Sequence, residues 1–376
     1  MFFFKTMISF NFFLDKTFFC FNIVPDLFSI DCGFLYSIFS ETNPEAKIAT
    51  NYFVDPVSGD DTHPGTEVSP KKTIQGAVDL ITGVINDVTT IHLKDDTTHY
   101  VDSVMIRGIR CIGKNARFVI QTEIWNDVKY EGAQDDPYGT QADFDIKSEK
   151  PVVISADMEI EDSTGVELCG LGYNGTTDDA QLKINGQSKV QAKYCRFEGM
   201  DASVLSMGGA ITVLENSYFL DNVVSIILMA MSGLMLSGNN FIENATHRGI
   251  VAMIDSTLWI TPWGLHPLQY YITEIKTTRP RVSKYAGIHL GIGSTLFVQS
   301  NSMDIIPLPV IGRVAIHHDM ADFNSEYYGV IMESKSLLVG MKNMIFTMLN
   351  TKSETIQMPE SQTIVEKENE GTIVVR

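Results

Sequence analysis

Lys193, Arg196, Asp221 and Glu243 are the residues whose types and spacing best suit acid–base work in this chain. In Lys189-Val-Gln-Ala-Lys193 the polar residues alternate with Val190 and Ala192, so Lys189, Gln191 and Lys193 share one side of a short strand. A shift of 22 residues carries Lys193 to Glu215, Arg196 to near-neighbour Tyr218, and Asp221 to Glu243, with Glu198 and Asp201 close by. Carboxylates in a row beside cations form a candidate proton-transfer groove. Glycoside hydrolysis needs two carboxylates about 5–9.5 Å apart, a spacing that Asp221 and Glu243 on neighbouring units can meet. A solvated strand face carries the same residue types.

Asp55, Asp60 and Asp61 gather hard oxygens around a Gly-containing turn, the donor type that Ca²⁺ takes. Asp135-Asp136 and Asp178-Asp179 are lesser clusters of the same kind. Turn aspartates also bond their own backbone. His317-His318-Asp319 with Asp322 carries transition-metal donors, but adjacent strand residues point to opposite faces. Trp259, Trp263, Tyr270 and Tyr271 are aromatics able to stack on sugar faces, and Arg279 and Arg281 suit acidic sugars. The same aromatics serve equally well to pack a loop onto the body of the protein.

The elements that must hold these side chains come from a repeat. Phe197, Phe219 and Phe241 are spaced by 22 residues, and counting back seven and five from each gives Val190 and Ala192, Thr212 and Leu214, Leu234 and Leu236. Period-2 alternation puts each pair on one face of a strand. A second register begins at Ser203, Ser225, Gly249, Gly287 and Gly329, each followed by an aliphatic residue. Nine residues on lie Thr212, Leu234, Leu258, Leu296 and Leu338. A fixed period of this size signals stacked units. No long helical pattern separates the strands, so the expected fold is all-β: a solenoid of short parallel strands, each coil about 4.8 Å from the next. A meander of antiparallel hairpins is the competing arrangement. The wider intervals are read as loops protruding at 263–284 and 304–328.

The chain has 376 residues, and 46 Asp and Glu against 28 Lys and Arg give a net charge of −18. That balance argues against a nucleic-acid surface, which needs clustered positive charge. Five cysteines, scattered at 20, 32, 111, 169 and 195, do not make a disulfide framework. Cys111, Cys169 and Cys195 read as small core residues. Residues 1–50 are Phe-rich and suit a secretion signal, an anchor or partner-binding tail, or a disordered segment. Their charges interrupt every apolar run well short of the roughly 18 residues of a membrane span. The solenoid is expected over 51–345, and 346–376 reads as a polar C-terminal tail.

Residues 52–81 read as a strand, a turn and a helix near 70–82. Ser69 is a suitable N-cap, Pro70 a suitable first residue, and Ile74, Ala77, Val78 and Ile81 an apolar stripe able to cap the end of a β-stack. The same segment resembles the opening motif of right-handed parallel β-helix proteins of the pectate-lyase-like superfamily. The residues that carry it are Tyr52, Val54, Asp55, Gly59, Asp60, Asp61, Gly65, Thr66, Pro70, Lys72, Thr73, Ile74, Gln75, Ala77 and Val78. Gly208-Gly-Ala-Ile211, Phe219-Leu-Asp-Asn222 and Phe241-Ile-Glu-Asn244 are similar to repeats of polymorphic outer-membrane adhesins. The resemblance implies an extracellular, cell-surface or virion protein that contacts a polysaccharide or cell-surface glycan, as tail spikes, fibres and adhesins do. A tail spike implies a homotrimer. The alternative it implies is a polysaccharide lyase, in which acidic residues hold Ca²⁺ against a uronate and a Lys or Arg is the base, or a glycoside hydrolase. The aspartate pairs of β-helix pectin hydrolases, with their Gly-His and Arg-x-Lys companions, are not present.

Overall fold

Alternation is translated directly into an inside and an outside. In the computed structural model Val190, Ala192, Leu214, Leu234 and Leu236 are buried, while Gln191, Val213 and Met235 between them face outward. The structure describes residues 9–14, 17–22, 50–81, 83–94, 99–123, 149–150, 152–175, 180–261, 271–278, 284–298, 312–319, 326–332, 337–340, 345–349, 355–358, 361–367 and 372–375.

Each coil contributes one strand to each of three parallel sheets. In the coil that carries Lys193, Gly172–Asn174 lies in sheet II, Ala180–Asn185 in sheet III and Lys189–Lys193 in sheet I. The next coil repeats the order with Arg196–Glu198, Ala202–Met207 and Ile211–Glu215. Pairing between successive coils is parallel throughout, from Thr50–Val54 on Val88–Leu93 to Leu337–Gly340 on Thr372–Val375. This is a right-handed parallel β-helix with one continuous apolar core.

Both sequence registers survive with one change. Val190, Thr212, Leu234, Leu258, Leu296 and Leu338 are direct partners down sheet I. The Ser203-to-Gly329 column lies in sheet III, followed by the fully buried Val204, Ile226, Ile250, Ile288 and Val330. The aromatic ladder differs. Tyr173, Phe197 and Phe219 are the stacked rings, with centroids 4.7 Å apart at each step. The next inward residue is Ile242, and Phe241 pairs with Tyr218 instead. The turn Gly238-Asn239-Asn240 is one residue longer than its counterpart one coil earlier, and a one-residue slip moves a side chain to the other face. Asn240 fills the bulge by accepting from the Ser217 N–H and donating to the Ser237 carbonyl.

The intervals expected to be loops hold the sheet II strands of the later coils. Tyr271–Thr278 pairs with Asn240–Ala245, and Gly312–Asp319 pairs in turn with Tyr271–Thr278. Lengthened coils keep all three strands and grow at the turns. The segment expected to be a polar tail also carries strands, with Ile345–Leu349, Ser361–Lys367 and Thr372–Val375 pairing onto sheets II, III and I. At the other end, Ser9–Leu14 and Thr17–Asn22 form an antiparallel hairpin.

The helix is shorter than its stripe suggests. It spans Ile74–Val78, capped by the Thr73 side chain, which accepts from the Gly76 N–H at 2.9 Å. Ser69 instead closes a tight turn through an antiparallel backbone bridge with Thr66, and Lys71 pairs with Val54, so no helix forms before Thr73. Ile74, Ala77 and Val78 are the buried face.

Candidate functional site

The candidate acid–base residues divide between two outer faces. Lys193 ends a sheet I strand and Arg196 begins a sheet II strand, with the turn at Tyr194, in the left-handed region, between them. The two cations therefore serve separate clusters.

On sheet I, Lys193 Nζ lies 3.2 Å from Glu167 of the preceding coil, and Arg117 lies 3.7 Å from the other oxygen of that carboxylate. Glu215, the partner of Lys193 one coil later, accepts from Gln191 at 3.0 Å. Burial on its own would lower the Lys193 pKa, but Glu167 and Glu215 outweigh it and hold the amine above its ordinary value. Lys193 is thus kept as a cation, the wrong form for a general base.

Sheet II carries the denser cluster. Arg196, Tyr218 and Phe241 are register partners on three successive coils, and so are Glu198, Leu220 and Glu243. The Arg196 guanidinium donates through Nε and Nη2 to one oxygen of Glu198 and sits 5.4 Å from the centre of the Tyr218 ring. Tyr218 Oη donates to Glu243 at 2.8 Å. Burial, reinforced by the Glu243 carboxylate, pushes the Tyr218 phenol well above its usual range, so it remains a hydrogen-bond donor.

Asp221 and Glu243 are not neighbours in one column. The extra residue at Gly238–Asn240 moves Glu243 beside Leu220, and Asp221 receives the Asn244 amide at 2.9 Å. Asn222 is a scaffold residue, fully buried, that accepts from the Met200 N–H and donates to the Phe197 carbonyl. Asn244, the matching residue by sequence, is displaced by the same slip.

The three turn aspartates are each engaged by separate partners. Asp55 is buried and accepts from Lys94 at 2.6 Å, from the Val57 and Ser58 N–H groups, and from the Ser58 hydroxyl. Asp60 accepts from the Thr62 N–H and hydroxyl. Asp61 takes the Lys72 and Thr73 N–H groups and the Thr73 hydroxyl at the start of the helix. Their oxygens are spent on turn and cap bonds that do not converge, and no group of three or more metal-ligating side chains occurs among the described residues.

Of the aromatic and basic candidates, Trp259 lies in the outward column of sheet I, stacked on Phe297 with centroids 6.1 Å apart at 11°. Tyr271 begins the sheet II strand Tyr271–Thr278. Trp263, Tyr270, Arg279 and Arg281 lie outside the described residues, as do Asp135, Asp136, Asp178, Asp179 and Asp322. His317, His318 and Asp319 end the strand Gly312–Asp319.

Glu167 and Phe297 escaped the sequence reading. Glu167 is 24 residues from its partner Gln191, not 22, and Phe297 is 38 from Trp259. The position following each Leu of the nine-residue register would have located Phe297.

No family model and no curated protein matches the sequence. A solved structure described as a glycoside hydrolase superposes with a TM-score of 0.52 at 8% identity, covering 87% of this chain and 96% of that one. A rhamnogalacturonan lyase aligns at 0.37 with 11% identity, over 87% of this chain and 83% of that one. A lacto-N-biosidase from Eubacterium ramulus aligns at 0.34 with 10% identity, over 86% and 68%. The likeness is one of fold. Among the described residues no helix is long and apolar enough to cross a membrane.

Proposed function

We propose that this chain is an extracellular or virion-surface β-helix protein that contacts a glycan along the outer face of sheet II. One observation carries the reading: Arg196, Tyr218 and Glu243 are brought together from three successive coils on one outward face. Coils recur at about 4.8 Å, close to the length of one sugar unit in an extended chain. A polymer laid along the axis therefore meets a cation and a carboxylate that bracket the Tyr218 phenol, which is itself only 5% exposed. Polar side chains at fixed spacing beside an aromatic ring are what orient a sugar's hydroxyls.

The hydrolase reading has its own support. Glu198 and Glu243 share a column two coils apart, which is roughly 9.6 Å at the backbone. That is near the upper end of the separation of about 6.5–9.5 Å used by inverting glycosidases. The lyase reading gains less, since Lys193 is held protonated and Arg196 is bound by Glu198.

The test is affinity electrophoresis of the full chain through gels holding a neutral or a polyuronate polysaccharide, with reducing ends assayed in parallel. Retardation by at least one polymer that is lost in Arg196→Ala is expected. Release of reducing ends without the ultraviolet absorbance of an unsaturated product, lost in Glu243→Gln, would establish hydrolysis. No retardation by any polymer, or retardation indifferent to Arg196→Ala, would remove the assignment.

A further inference from the structure

The coil that carries Glu243 is two residues longer than the one before it. Ser203 to Ser225 is a step of 22 residues, and Ser225 to Gly249 a step of 24. The first extra residue sits in the turn Gly238–Asn240, so Phe219 pairs with Ile242 and not with Phe241. The second sits at Glu243 and Asn244, which together oppose one residue of the strand Tyr271–Thr278, with Asn244 in the left-handed region at φ 59°. One added residue turns side chains to the other face, and a second turns them back. Ala245 and Ile250 are accordingly buried, and Ile250 rejoins the column of Val204 and Ile226. The displaced stretch, residues 241–244, lies inside the sheet II cluster.

The displacement puts Phe241 and Glu243 on the outer face, while Ile242 takes the place in the core. A phenylalanine turned out of a core that holds rings at Phe197 and Phe219 gives up burial. Bulges that re-aim a side chain at the expense of regular pairing are concentrated beside functional sites. Here the re-aimed ring lands in the outward column of Arg196 and Tyr218. The Tyr218 ring is almost fully buried and offers a ligand little surface. Phe241, only half-buried, is the aromatic of this column that reaches the exterior. Glu243 follows it by two residues and accepts from Tyr218 Oη at 2.8 Å, and the Asn244 amide donates to Asp221 at 2.9 Å.

We infer that Phe241 is the sugar-stacking residue of the sheet II site and that its ligand is an uncharged polysaccharide. The inference rests on the glycan reading of sheet II. A phenyl ring takes the apolar C–H face of a pyranose, and carboxylates beside it accept the sugar's hydroxyls in charge-assisted hydrogen bonds. Glu243 lies on the same strand as Phe241, and Asp221 follows the strand of the preceding coil. A uronate placed on Phe241 would meet both carboxylates, and the cation beside them, Arg196, is already bound by Glu198. That juxtaposition of like charges discriminates against an acidic sugar. A neutral sugar presents hydroxyl donors to the same oxygens and meets no repulsion.

The experiment is affinity electrophoresis of the full chain in gels cast with a galactomannan, a mixed-linkage β-glucan, a xyloglucan or polygalacturonate. Phe241→Ala and Phe241→Trp are run beside Phe53→Ala, which removes an aromatic ring from the first strand of sheet I. Circular dichroism checks that each variant folds. Wild type is expected to be retarded more by at least one neutral polymer than by polygalacturonate. Phe241→Ala should weaken that binding about tenfold, with Phe241→Trp and Phe53→Ala close to wild type. Stronger retardation by polygalacturonate than by every neutral polymer overturns the inference. So does a folded Phe241→Ala protein that binds as wild type does, or an equal loss in Phe241→Trp or Phe53→Ala. If Arg196→Ala is defective in those cases, the sheet II reading survives without Phe241, whereas no retardation in any gel removes both.

Discussion

Phe197 and Phe219 lie face to face inside the solenoid, ring centroids 4.7 Å apart and planes inclined by 8°. Tyr173 extends the stack on one side, and on the other it ends at Ile242 because one extra turn residue rotates Phe241 outward. Both Phe197 and Phe219 are fully buried.

The slip makes the two phenylalanines unequal. Phe219→Ala removes a ring from the filled core and should cost about 3–5 kcal/mol, whereas Phe241→Ala, on the outer face, should cost well under half of that. Chemical unfolding of the two variants beside the wild type measures the difference. Equal losses would show that Phe241 belongs to the inner ladder after all.

Gly249 continues a column whose earlier members are Ser203 and Ser225. A Cβ at Gly249 would stand 2.6 Å from both the Gly287 carbonyl oxygen and Ile275 Cγ2. Gly249→Ala should therefore destabilise the later coils by about 1–3 kcal/mol through overpacking, despite alanine's smaller backbone entropy cost. Ser225→Ala in the same column should be tolerated, since the buried Ser225 hydroxyl has no hydrogen-bond partner among the described residues. A Gly249→Ala protein as stable as the wild type would show that the coils relax freely at this point.

Asp55 ties the first turn to Lys94. Burial alone would raise its pKa, but the bonds from Lys94, Ser58 and Val57 outweigh burial and hold the carboxyl well below the usual range. A depressed native pKa contributes stability above the unfolded value of about 3.9 and loses it progressively as the pH falls toward the native one. Asp55→Asn should melt below the wild type near neutral pH, with the gap narrowing in acid. Thermal unfolding at both pH values reads this, and a gap independent of pH would refute it.

Tyr218 gives the opposite sign. Burial and the bond to Glu243 raise its pKa, so its contribution is complete below the unfolded value of about 10 and is lost as the pH climbs toward the native one. Tyr218→Phe should flatten the alkaline loss of stability above about pH 10 relative to wild type. Parallel alkaline unfolding curves for the two proteins would contradict the Tyr218–Glu243 bond.

Much of the fold was legible because solenoid coils repeat the same inward demands. Thr212, Leu234, Leu258, Leu296 and Leu338 stayed partners even where the coil lengthened from 22 to 42 residues. Extra residues left the strands unchanged and were absorbed at the turns. The helix boundary was less legible. Ser69 has the composition of a cap, yet it closes the turn from Thr66, and the pairing of Lys71 with Val54 leaves the cap to Thr73.

The sequence by itself determined the parallel stack, the apolar inner columns and the alignment of Lys193 with Glu215 and of Arg196 with Tyr218. These depend on local period, which each short strand encodes. Only the tertiary structure decided which polar residues meet. Only two residues lie between Lys193 and Arg196, but the turn at Tyr194 sends them to different sheets. Glu243 reached Tyr218, and Asp221 was left to Asn244, through one added residue at Gly238–Asn240. A site assembled from three coils depends on the sum of the turn lengths between them, and those turns carry no periodic signal.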